Sequence, residues 1–169
     1  MRRKALALAS AGALWTVAGF VSGGCTKGTE GMEVFEATLS PANEVPARST
    51  AANGRVQYIF DGTTVTYTIE VDDITNVIAA HIHSAAAGVN GPIRVFFFGS
   101  GSPHPTSSPV SFTDKSILVQ GSFTAADVTG VSFSELLNQM RNGQAYTNVH
   151  TSQFPGGEMR GQIQLVNVN

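Results

Sequence analysis

A chain of 169 residues, with 42% hydrophobic and 13% charged side chains and a formal net charge of −2, has room for one domain with a substantial core and little besides. That acidic balance argues against a nucleic-acid surface. Cys25 is the only cysteine, which excludes an intrachain disulfide and leaves the fold to its core or to a ligand.

Arg2, Arg3 and Lys4 precede the apolar run Ala5–Val21, which ends in small residues before Cys25, so residues 1–24 read as an export signal. Val21-Ser22-Gly23-Gly24-Cys25 resembles a bacterial lipoprotein lipobox, in which the cysteine takes lipid and becomes the mature N-terminus. Ser22 departs from the leucine that this pattern prefers. An ordinary cleaved signal and an uncleaved anchor are the competing readings; a span needs about 20 apolar residues, and this run carries Ser10, Thr16 and several glycines. The lipobox resemblance implies a domain held at the cell envelope by an N-terminal lipid. Thr26 stands where an aspartate would favour inner-membrane retention, which leans toward an outer membrane where the cell has one, so that the expected location is an outer membrane or the cell surface. Without residues 1–24, seven basic residues face twelve acidic ones. Residues 25–32 are small and polar and form a tether; residues 33–169 form the domain.

Strand patterns then follow in order. Phe35, Ala37 and Leu39 alternate with polar residues, as do Val56, Tyr58 and Phe60, and Val65, Tyr67, Ile69 and Val71. Asp61-Gly62 between the last two is a hairpin signal. Further strands are predicted over Val77–His83, Ile93–Phe98, Ile117–Phe123, Ala145–His150 and Glu158–Val166. One helix interrupts, with Ser132 and Glu135 as a capping box, Phe133, Leu136, Leu137 and Met140 as an apolar stripe, and Gly143 as a stop. Pro41–Asn53 and Gly99–Pro109 read as loops, the second carrying His104. The result is an all-β fold, an antiparallel Greek-key β-sandwich of about eight strands with one short helix.

Side chains alternate faces along a strand, so His81 and His83 point one way while Ala80 and Ile82 point to the core. A third imidazole, His150, follows far downstream. Three imidazoles suit copper or zinc and leave a coordination position open. The competing reading is a buried polar network, each ring bonded to backbone carbonyls or to Asn148, Thr151 or Glu158. His104 reads as an ordinary exposed histidine, with closure over the site as a fourth ligand the alternative. Arg160 reads first as an exposed ion-pair partner; the alternative is that it braces a loop while Glu158 accepts from a histidine. Glu44 reads as fixing its loop. Phe96, Phe97 and Phe98 break the alternation and read as core.

These segments resemble the chordin-type (CHRD) domain family. The matching pieces are Leu39-Ser40-Pro41-Ala42-Asn43-Glu44-Val45-Pro46, Ala79-Ala80-His81-Ile82-His83, Gly88-Val89-Asn90-Gly91-Pro92-Ile93, Tyr146-Thr147-Asn148-Val149-His150-Thr151, Pro155-Gly156-Gly157-Glu158 and Arg160-Gly161-Gln162-Ile163. The resemblance implies a fold more than an activity. More distantly, His-x-His on a strand with a later histidine is similar to the copper site of copper-zinc superoxide dismutases, although this chain has neither that family's disulfide nor an evident bridging histidine.

No nucleophile triad, phosphate loop or close carboxylate pair stands out, so the sequence leans away from an enzyme. The expectation is a binding or structural module at the cell envelope, with an extracytoplasmic protein as partner and a metal site on His81, His83 and His150. Asn148, Thr151, Glu158 and Arg160 are its expected outer hydrogen-bond partners. The alternative is a small copper redox enzyme with dismutase-like chemistry.

Overall fold

The computed structural model describes residues 31–106 and 108–168; the expected signal and Cys25 lie outside them. Ten strands form two antiparallel sheets: β1 (Glu33–Leu39), β2 (Asn53–Phe60), β3 (Val65–Asp72), β4 (Ile74–Ser84), β5 (Ile93–Phe98), β6 (Val110–Phe112), β7 (Ser116–Phe123), β8 (Ala145–Thr151), β9 (Met159–Gln162) and β10 (Gln164–Val168). The first sheet runs β10-β1-β2-β3-β7. The second runs β5-β4-β8-β9, with β6 on the far stretch of β4. Strands β1, β2 and β3 are consecutive neighbours, β4 crosses to the second sheet, and the last strand, β10, returns beside β1.

Two differences from the expected strands have local causes. Strand β6 is three residues long, too short for a period to register. The expected strand over Glu158–Val166 is two, because the chain changes sheets at Ile163: β9 pairs with β8, whereas β10 pairs with β1. Ile163 is fully buried at that corner, its N–H bonded to the Ala145 carbonyl at 2.9 Å.

The alternation buries Phe35, Val56, Tyr58, Val65, Tyr67 and Ile69 on one sheet against Ala80, Ile82, Val95, Phe97 and Val149 on the other. Phe97 sits among aromatics, 4.3 Å from Tyr67 and about 6 Å from Tyr58 and Phe123 between ring centres. The sheets are also joined by a 2.6 Å hydrogen bond between the hydroxyls of Tyr58 and Thr147. Helix α1 (Phe133–Arg141) caps one end, burying Leu136, Leu137 and Met140. Ser132 Oγ accepts from the Glu135 N–H as expected, but the Glu135 carboxylate accepts from Gln139 Nε2 in the next turn.

On β8 both faces are buried. One is core, while loops 40–52, 85–92 and 152–158 enclose the other. Phe97→Ala is expected to cost about 3–5 kcal/mol, read by urea unfolding; a loss under about 1 kcal/mol would show that the aromatic cluster does not carry the core.

Candidate metal centre

The central strands of the second sheet bring the histidines together. Register sets His81 opposite Asn148, His83 opposite Tyr146 and Ala79 opposite His150, all on the outer face. Ring centres lie 4.9 Å apart for His81 and His150, 5.7 Å for His81 and His83, and 6.1 Å for His83 and His150. One ligand nitrogen from each ring lies within 4.8 Å of the others, and none of these three histidines is more than 9% exposed.

Hydrogen bonds fix the tautomers. His83 Nδ1 lies 2.8 Å from the Gly91 carbonyl and His150 Nδ1 2.9 Å from the Pro155 carbonyl. A carbonyl can only accept, so both Nδ1 atoms carry hydrogen and, in neutral rings, both Nε2 atoms carry lone pairs. His81 therefore donates its Nδ1–H to His150 Nε2 at 3.1 Å. His83 Nε2 is buried without a partner among the described residues.

Burial is the main reason that all three rings are neutral. It pushes His81 down to about 3, with the charges of His150 and His83 adding to the effect. His150 goes down to about 4, burial again outweighing its bond to Pro155. His83 shifts the same way, burial first, with the Arg160 charge adding to it against the bond to Gly91.

The walls are aromatic and held from outside. His83 stacks on Tyr146 at 4.9 Å and 9°, and Phe96 meets His81 edge-on at 4.9 Å. Tyr146 carries the Arg160 guanidinium 4.4 Å from its ring centre, and its hydroxyl accepts from the Gly91 N–H at 3.2 Å. A side chain at Gly91 would meet the Ser84 carbonyl at 2.0 Å, so only glycine lets this turn approach His83. A cleft of about 430 Å³ opens on His81 between Phe96 and the loop carrying Ser100 and Thr106.

Several sequence expectations change here. Arg160 is 4% exposed, not a surface ion-pair partner: its Nε and Nη2 hold Glu44 Oε2 at 2.9 and 2.7 Å, and Nη2 also reaches Asn90 Oδ1 at 2.6 Å. Glu44 does fix its loop, and Oε1 accepts from Asn148 Nδ2 at 2.6 Å. Glu158 accepts from Thr151 Oγ1 at 2.7 Å, while the ring N–H groups of His83 and His150 go to backbone carbonyls and that of His81 goes to His150. His104 stands apart, near Tyr67 and Gly121, where a β-carbon on Gly121 would lie 3.4 Å from its Nε2 and 2.9 Å from the Tyr67 hydroxyl. It is not in the cluster. Tyr146 was missed by sequence reasoning. Tyr146 could have been found, because it shares the period-two face of Asn148 and His150.

The class is thus an antiparallel β-sandwich whose loops close over three buried histidines on one outer face. The CHRD domain model matches residues 35–163, and the chain belongs to that family. No curated protein and no solved structure matches it. The matched span includes Glu44, all three clustered histidines and Arg160.

The histidines make a pH prediction for the metal-free protein. Their folded pKa values lie below the unfolded value of about 6.5, so the unfolded chain takes up protons first as pH falls, and stability present above that value is lost toward pH 4. Urea unfolding should show a loss of about 2 kcal/mol for each of His81 and His150 between pH 7 and pH 5, with His83 adding in the same direction, flattened in His81→Gln and His150→Gln; an unchanged profile in those variants would contradict the assignment.

Proposed function

We propose that this chain is an exported CHRD-domain protein, held at the cell envelope by lipid on Cys25, that works as a binding or structural module and carries one copper or zinc ion on His81, His83 and His150. The carrying observation is His83 Nε2, a buried lone pair with no partner among the described residues. Such an orphan costs about 1–3 kcal/mol, and an ion among the three nitrogens relieves it. The donor set fits the ion: three neutral imidazoles, two of them with Nδ1–H fixed on backbone carbonyls, as ligand histidines usually are. His81 joins by shifting its proton from Nδ1 to Nε2, which gives up its bond to His150. Bound copper would supply one-electron chemistry and zinc a Lewis acid.

The buried network expected from sequence and the metal site are the same residues. The carbonyl bonds orient the rings, and the lone pairs they leave inward bind the ion. An extracytoplasmic protein partner would meet the loop rim, where Val89 stands 53% exposed. The copper redox reading shares this ligand set and adds one demand, an exchangeable ligand on the metal.

Elemental analysis of the full chain, purified from its native compartment, should give near-stoichiometric copper or zinc. The His81→Ala/His83→Ala/His150→Ala variant should lose it while keeping the β-sheet circular dichroism of the wild type. Metal-free wild-type protein that also takes up neither ion on dialysis would defeat the metal reading. For the anchor, Cys25→Ala should move the protein from the membrane fraction to the soluble one; a variant that stays fully membrane-bound would remove the lipid.

A further inference from the structure

A second orphan lies on the same outer face of the β4–β8 strand pair as His83. Asn148 is 1% exposed, and its Oδ1 is buried with no hydrogen-bond partner among the described residues. Register places Asn148 between His81 on β4 and Arg160 on β9, all on the outer face. Its Nδ2 is turned to Glu44, the partner of Arg160. The two arms of an amide diverge, so Oδ1 is left unengaged by Glu44, on a residue that the register sets opposite His81.

Two buried acceptors on one side of one strand pair constrain what can satisfy both. In the metal-free site one water can donate to both; with an ion on the three nitrogens, as the reading above has it, His83 Nε2 is taken and the amide oxygen still lacks a donor. A cation carrying an O–H donor meets both demands at once. We propose that the metal on the three histidines keeps a fourth, exchangeable oxygen ligand that donates a hydrogen bond to Asn148 Oδ1. Water fills this position at rest, and small O–H-bearing molecules or anions such as azide replace it. This rests on the metal reading above and makes the site open, not a closed structural one. Asn148 is then a positioning residue, acting on the ligand and not on the ion.

Removing the acceptor should leave the ion in place and weaken only the bound water. The full chain loaded with Cu(II) is examined by electron–nuclear hyperfine spectroscopy in H2O and D2O and titrated with azide. The expected result is an exchangeable-proton coupling that azide abolishes. In Asn148→Ala, with copper content unchanged, azide should bind severalfold to about tenfold more tightly, because the displaced water has lost its acceptor. Stoichiometric copper without exchangeable-proton coupling overturns the inference and spares the metal reading. So does an azide affinity within about twofold of wild type in a folded Asn148→Ala protein. A wild-type chain that takes no copper or zinc sinks both together. If Asn148→Ala does not fold, coupling and azide displacement in the wild type decide the question alone.

Discussion

The buried ion pair of Arg160 and Glu44 is the constraint on which the candidate site depends. Its side chains are 5% and 2% exposed, and two charges taken that far from water stay there only if nearly every donor and acceptor is used. Glu44 takes Arg160 on Oε2 and Asn148 on Oε1. Arg160 adds Asn90, the Val89 carbonyl and the face of Tyr146. Loops from three parts of the chain thereby close on one point. The third, 152–158, approaches through Gly157 at φ +122°, where a β-carbon would meet Asn148 Nδ2 at 2.5 Å and Glu44 Oε1 at 2.7 Å. Losing either charge alone would leave the other buried, at about 3–5 kcal/mol, and would free the loops that cover the histidines.

The same cation adds to what burial does to two of the imidazoles. Arg160 reaches His83 through the ring of Tyr146, and its charge adds to burial in disfavouring protonation of His83 and His150. Glu44 balances that charge close at hand, so the site gains the effect on its histidines without an unpaired ion. The ion pair thus acts on the histidines mainly by closing the loops that bury them, and its cation adds a smaller effect of the same sign at His83 and His150.

Much of this was legible in the chain and part was not, for physical reasons. The alternation of Val65, Tyr67, Ile69 and Val71 declares a half-buried strand, and the spacing of His81 and His83 declares a shared face, because both follow from the pleat. The pairing of Glu44 with Arg160 spans 116 residues and runs against the ordinary surface preference of charged side chains, so no local pattern announces it. The sheet change at Ile163 is silent too, since apolar and polar residues continue to alternate through the corner. The orphaned atoms on His83 and Asn148 exist only once the loops have closed, and no sequence period encodes them.

Strand β8 shows why site and core belong to one structure. Thr147 reaches across the core to Tyr58, and Asn148, the next residue, reaches out to Glu44. Val149 packs inward and His150 faces the other histidines. A slip of one residue in the pairing of β8 would turn Val149 to the loops and drive Asn148 and His150 into the apolar layer. The hydrophobic register that selects the sandwich therefore also selects the histidine geometry, and neither can shift without the other.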